Sequence, residues 1–222
     1  MTRREYRQSC SIAGALDRIG ERWSLLVVRE LLLGPLRFSD LARSMGGPPT
    51  DVLTKRLRDL EHDGIVRRRE LDPPATGVAY ELTDLGRELD SLLLELGRWG
   101  LNFYAAEDVA DLEASWLPNS FRVLLQPPTD AVMTVQLRSE GRAFGIRVAG
   151  GRISAERGEI YNPDLVVSGS PRGIVAALVV GGEHVERVEM EGDTALFEAL
   201  REMVVLPARL REDARTVSAR TA

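Results

Sequence analysis

Thr50-Asp51-Val52-Leu53-Thr54-Lys55-Arg56-Leu57-Arg58-Asp59-Leu60-Glu61 decides the fold. At 3.6 residues per turn Leu53, Leu57 and Leu60 share one stripe, while Thr50, Asp51, Thr54, Lys55 and Arg58 take the opposite or flanking face. A helix of this kind buries its leucines and offers short polar and long basic side chains outward. That is the chemistry required of a helix that enters a major groove with its N-terminal residues toward base edges.

The segments on either side fit the same plan. Upstream, Ile12, Leu16 and Ile19 repeat at helical spacing up to Gly20, and Trp23 to Leu32 forms a second helix stopped by Gly34-Pro35. Ser39 is read as the N-cap of a short third helix carrying Leu41, Ala42 and Met45, which Gly46-Gly47-Pro48 breaks. Downstream, Ile65 to Leu71 and Val78 to Leu82 flank the Pro/Gly-rich stretch 72–77, a hairpin. Helix, tight turn, helix, hairpin is the order of a winged helix-turn-helix. Arg37, Ser39, Thr50, Asp51, Thr54, Lys55, Arg58, Arg67 and Arg69 are the candidate DNA contacts. For any single arginine among them a solvated surface charge is the competing assignment.

From an N-cap at Thr83, a further helix places Leu85, Leu89, Leu92, Leu96, Trp99 and Phe103 at steps of 4, 3, 4, 3 and 4, a coiled-coil seam. Leu93, Leu94 and Gly100 widen the stripe, so it serves either a subunit interface, the favoured assignment, or a broad core-facing surface.

Cys10-Ser-Ile-Ala-Gly-Ala-Leu-Asp-Arg-Ile-Gly-Glu-Arg-Trp23-Ser-Leu-Leu-Val-Val-Arg-Glu-Leu31, Gly34-Pro-Leu-Arg-Phe-Ser-Asp-Leu41, Val52 to Glu61 and Tyr80-Glu-Leu-Thr-Asp-Leu-Gly86 closely resemble the HxlR family of bacterial winged-helix transcriptional regulators, over residues 9–104. The resemblance implies a dimer assembled through the first and last helices, which adds Ile12 and Leu16 to the interface. It also implies two recognition helices facing a pseudo-palindromic operator. Pro48-Pro49-Thr50 departs from the serine-containing start of the recognition helix usual in the family. Cys10 stands where thiol-sensing members carry their reactive cysteine. The helix N-terminus beside it, with Arg7 and Arg18, is expected to lower its pKa, whereas a small buried apolar residue is the plain alternative.

The second half reads differently. Ser115 is expected to cap a helix from Trp116. Strands follow at 132–137, 143–148 and from Ile153, the latter two joined at Gly150-Gly151, with another at 165–167. Ser170-Pro171 opens an apolar helix, 185–190 alternates as a strand, and Asp193 caps a last helix. The order of strands, the 163–171 run, the apolar helix, Met190-Glu-Gly-Asp193 and the final helix resembles the sterol-carrier-protein fold. That resemblance implies a sheet-and-helix layer whose interior is either a tunnel for an apolar ligand or a filled core. The expected fold class is therefore α+β: a winged helix-turn-helix over 1–104, a sterol-carrier-protein-like α/β domain over 105–206, and a disordered polar tail over 207–222.

Composition narrows the function. Of 222 residues, 44% are hydrophobic and 28% charged, a profile of soluble globular material. Arg29 and Glu30 interrupt the most apolar run, and the N-terminus lacks the pattern of a signal peptide, so a cytoplasmic protein without a membrane span is expected. One cysteine excludes an intrachain disulfide and a multi-cysteine metal site, and His62 and His184 stand in no ligand or triad spacing. No metal, no cofactor and no enzyme activity are expected. Residues 1–104 hold 16 basic and 16 acidic residues, whereas 105–222 hold 13 against 18, the whole of the net −5. Within 37–69 the count is eight basic to five acidic. The expected function is a dimeric, sequence-specific DNA-binding regulator responsive to a hydrophobic small molecule or to thiol stress. The rival is a hydrophobic-ligand or lipid carrier whose winged half serves dimerisation or protein contacts.

Overall fold

The computed structural model describes residues 5–71, 76–104, 112–180 and 188–211. The chain divides into two compact units, Met1–Leu93 and Leu94–Ala222. The division falls inside a helix, ahead of the seam after Tyr104 drawn from the sequence, and the acidic stretch at 105–108 lies outside the described residues.

In the first unit α1 (Ser11–Ile19), α2 (Ser24–Leu31), α3 (Phe38–Ser44) and α4 (Thr50–His62) precede a two-stranded wing, β1 (Val66–Glu70) and β2 (Val78–Leu82). Ile19, Val27, Leu41, Leu53, Leu57 and Leu82 meet in one buried cluster, so each helix contributes the apolar stripe its spacing implies. Between α3 and α4 the chain turns through Gly46 and Gly47, at φ 77° and 73°. A side chain at such a left-handed position costs about 1–2 kcal/mol. Gly47 N–H donates to the Ala42 carbonyl at 2.9 Å and closes α3.

Ser39 is not the cap of α3. Arg37 holds that position and the helix starts at Phe38, because Leu36 is fixed one step earlier. Leu36 bridges Tyr80, N–H to carbonyl in both directions at 3.0 and 2.8 Å, as a third strand fragment on the wing. Thr83 does cap the next helix, accepting from Gly86 N–H at 3.1 Å. That helix is broken, however: α5 (Asp84–Arg87) ends at Glu88, and α6 (Leu89–Gly100) leads into a 3-10 turn at Leu101–Phe103.

The second unit is a five-stranded sheet with helices. The 3-10 turn Ala114–Trp116 enters α7 (Leu117–Leu124), so Ser115 does not cap it; its hydroxyl instead donates to Glu113 at 3.4 Å. β3 (Met133–Ser139), β4 (Arg142–Ala149) and β5 (Arg152–Arg157) form a meander. Its turns, Glu140-Gly141 and Gly150-Gly151, have positive φ at both central residues, as two-residue hairpins favour. β6 (Leu165–Ser168) then lies parallel to β3, and β7 (Glu189–Gly192) antiparallel to β6, giving the order β5-β4-β3-β6-β7. Between β6 and β7, Ser170 caps α8 (Pro171–Val179) by accepting from Gly173 N–H at 2.9 Å. β7 runs past the expected end at Met190; the expected start of that strand at 185–187 and His184 lie outside the described residues. α9 (Ala195–Glu202) has Thr194 in the cap position, although Asp193 still accepts from Ala195 N–H at 3.1 Å.

One sheet face carries Val135, Leu137, Phe144 and Ile146, which join Phe121 of α7, Ile174 of α8 and Leu200 of α9 in a single core. Arg138 and Arg147, on the intervening positions, are exposed and pair with Glu159 and Glu156. Residues 208–211 are helical, Leu206 is buried, and Arg211 Nε donates to the Leu206 carbonyl at 2.7 Å. The start of the expected disordered tail is therefore packed chain, anchored by Leu206 and Leu210; residues 212–222 lie outside the described set. Phe121 is fully buried at the centre of this core. Phe121→Ala is expected to destabilise the second unit by about 3–5 kcal/mol, read as a lower urea midpoint for that unit.

Candidate nucleic-acid interface

On α4 the two faces separate cleanly. Leu53, Leu57 and Leu60 are at most 2% exposed, while Thr50, Asp51, Thr54, Lys55 and Arg58 are all exposed. Arg56 lies between the two cations in sequence but is buried, paired with Asp59 at 3.2 Å and Glu21 at 3.8 Å. It ties α4 to the segment before α2 and is not available to a ligand. The helix opens with Pro49 in the cap position, which has no side-chain acceptor, and Thr54 Oγ1 donates to the Thr50 carbonyl at 2.7 Å. Arg37, Lys55 and Arg58 form no ion pair among the described residues.

The Leu36–Tyr80 bridge sets Arg37 beside the wing. Its guanidinium lies 3.2 Å from where a Cβ on Gly77 would stand, and Gly77 itself has φ 108°, a conformation that favours glycine. Ser39, one turn into α3, is exposed. On the wing, Arg67 and Arg69 point from one face of β1 as the alternation implies, but they are not unpaired charges. Arg67 Nε donates to Glu81 Oε1 at 2.7 Å, and an Arg69 terminal nitrogen lies 3.5 Å from Glu81 Oε2. Burial alone would raise the Glu81 pKa; the Arg67 hydrogen bond and charge, then those of Arg69, outweigh it and hold the carboxyl below its ordinary value. Arg68, on the other face, covers the Tyr80 ring at 5.8 Å and lies 3.4 Å from Glu61. Glu81 and the Leu36 bridge were missed by sequence reasoning. The cross-strand register that places Arg67 opposite Glu81 would have revealed the first.

The expected interface residues split. Leu85, Leu92, Leu96, Trp99 and Phe103 are exposed, as are Ile12 and Leu16 of α1. Trp99 and Phe103 stack edge to face with centroids 4.8 Å apart. Leu89 is instead turned inward with Leu93 against the first unit's core. Of the six seam positions only Leu89 leaves the exposed stripe; Leu85 before the turn at Glu88 and Leu92, Leu96, Trp99 and Phe103 after it stay on it.

Cys10 is exposed in the cap position of α1. The first-turn amides of Ala13, chiefly, and Ile12 lower its pKa below the ordinary thiol value. The expected contribution of Arg18 is absent, since that side chain is drawn to Asp63 at 3.5 Å. No helix among the described residues is long and apolar enough to cross a membrane.

The HxlR-like helix-turn-helix family matches residues 18–108, which leaves most of the sheet unit outside the match. The uncharacterized HTH-type transcriptional regulator Rv3095 of Mycobacterium tuberculosis is 41% identical over 90 residues, 40% of this chain and 56% of the relative. The chain thus spans a little over half the length of that mycobacterial relative. The HTH-type transcriptional regulator YtcD of Bacillus subtilis is 34% identical over 102 residues, 46% of this chain and 79% of the relative. Its crystal structure aligns with 42% of this chain and 96% of that chain at a TM-score of 0.40. By sequence and by the elements that carry it, the chain belongs to the HxlR-like helix-turn-helix family.

Proposed function

We propose that the protein is a dimeric, sequence-specific DNA-binding transcriptional regulator and not an enzyme. The observation that carries this is the set of exposed cations without ion-pair partners among the described residues, Arg37, Lys55 and Arg58, on the helix-turn-helix of a chain whose relatives are named HTH-type transcriptional regulators. Large apolar side chains left exposed in each unit, Ile12, Leu16, Leu85 and Leu92 in the first and Leu96, Trp99 and Phe103 in the second, support a homodimer, because apolar surface of this kind marks a protein interface. Footprinting on the DNA upstream of the gene tests the reading. Protection of a discrete site that weakens steeply with salt is expected; uniform binding to any duplex would refute it.

Two triggers follow from the two units. For the sheet unit, the strand order and the Ser170-capped apolar helix support a sterol-carrier-like layer and an apolar effector. Native mass spectrometry of the purified chain is expected to show a retained apolar molecule. Absence of one, with no change of operator affinity on adding acyl or sterol-like compounds, would refute that trigger. For the thiol, the lowered pKa of Cys10 means a larger thiolate fraction at pH 7 than in free cysteine. Iodoacetamide is expected to alkylate it faster than free cysteine at that pH, and Cys10→Ser to abolish operator release by diamide. Unchanged release from the serine variant would remove the thiol from the mechanism.

A further inference from the structure

Glu81 is the acidic group on the wing face that carries Arg67 and Arg69. It stands directly across the ladder from Arg67, its side chain only 9% exposed, whereas those of Arg67 and Arg69 are 64% and 48% exposed. The carboxylate therefore lies beneath two guanidiniums whose outer edges face solvent. Arg67 uses its Nε on Glu81, which leaves its two terminal nitrogens as donors.

We propose that Glu81 sets how well the wing discriminates between DNA sequences, by cancelling one of its two positive charges and fixing both guanidiniums in place. This rests on the DNA-binding reading above. A free pair of arginines is a mobile double charge that finds phosphates on any duplex, since phosphate contacts carry no sequence information directly. Anchored on the Glu81 carboxylate, the same pair has lost much of its rotamer freedom before binding and offers less positive charge, at a fixed place. It then engages phosphate only where α4 has already set the register. Among the described residues Lys55 and Arg58 have no such counter-charge, so α4 and the wing divide the work between reading and checking.

The test is Glu81→Gln in the full chain, which keeps the shape and an acceptor oxygen and removes the charge. Fluorescence anisotropy is followed over a salt series with an operator duplex and a scrambled duplex. The variant is expected to bind the scrambled duplex about tenfold more tightly, to steepen the slope of log K against log salt by about 1.8, one further phosphate contact in each protomer of the dimer, and to lose about tenfold in operator preference. Arg69→Gln, which leaves Arg67 and Glu81 as a neutral pair, is the companion and is expected to make the slope shallower by about 1.8, one phosphate contact in each protomer. Should Glu81→Gln fail to fold by circular dichroism, an unchanged slope in Arg69→Gln alone overturns the proposal. A wild-type chain that prefers its operator while Glu81→Gln copies its slope and preference also overturns it and leaves the regulator reading standing. A wild-type chain with no preference refutes both.

Discussion

Lys55→Ala combined with Arg58→Ala is expected to abolish operator binding while leaving the fold intact. Both side chains are exposed, lie on the face of α4 opposite the buried leucines, and form no ion pair among the described residues that their removal would disrupt. Surface substitutions of this kind change stability by about 0.5 kcal/mol or less. Bound to DNA, each reaches either a guanine edge or a phosphate. A good base contact contributes about 1–3 kcal/mol, so losing both weakens the complex about 100-fold or more. If both contact phosphate in each protomer of the dimer, the salt slope falls by about 3.6 as well. Arg56→Ala is the control with the opposite profile. That arginine is buried between Asp59 and Glu21, so its loss lowers the unfolding midpoint and leaves the salt slope of the folded protein unchanged. Anisotropy over a salt series and thermal unfolding followed by circular dichroism separate the two outcomes. A double variant that binds like the wild type would remove α4 from the interface.

Trp99→Asp with Phe103→Asp is expected to convert the proposed dimer to a folded monomer. The two rings stack on each other and are 61% and 68% exposed within one chain, so a single protomer does not depend on them. Large aromatic side chains near the centre of an interface typically contribute about 2 kcal/mol or more each, and two introduced carboxylates facing two more across a two-fold axis add repulsion. Sedimentation equilibrium is expected to show the dimer dissociation constant raised by about 1000-fold or more. Operator binding falls with it, because two tethered half-site contacts become independent weak ones. Leu89→Ala is the contrasting variant: Leu89 packs on the first unit's core, so its truncation lowers stability and leaves association of the folded chain unaffected. A Trp99/Phe103 variant that sediments as the wild type would place the interface elsewhere.

The contrast between Leu89 and Leu92 shows what periodicity can and cannot convey. A repeat of 3 and 4 marks a helix with an apolar stripe, but α6 carries two stripes. Leu89 and Leu93 face the first unit's core. Further along, Gly97 is so close to Val123 of α7 that an added Cβ would stand 2.7 Å from its Cγ2, and Leu101 packs on the second unit's core. Which leucine faces out depends on what packs against each turn of the helix, which the repeat does not record. α4 was legible in full because its two faces differ in chemistry: leucines on one, threonines and cations on the other. Ser170-Pro171 was legible as a cap because proline at the next position fits only the first turn. Ser39 and Ser115 misled because a serine near a helix start caps only when it falls on the boundary. The Leu36 bridge and the 3-10 turn at Ala114–Trp116 moved those boundaries. Glu81 was invisible as a partner of Arg67 because the two lie on different strands, and their pairing depends on the register of the hairpin. The strand order of the second unit is non-local in the same sense: β3 and β6 pair in parallel although β4 and β5 intervene.

Selection of a random duplex pool by the full-length chain, followed by sequencing of the bound fraction over a few rounds, tests the central claim most directly. Enrichment of an inverted repeat is predicted, its half-sites centred about 10 bp or a multiple apart as two α4 helices related by a two-fold axis require. Affinity for it should fall steeply with salt and depend on Lys55 and Arg58. A bound fraction with no enriched sequence, or one bound no more tightly than a scrambled duplex, would contradict the account.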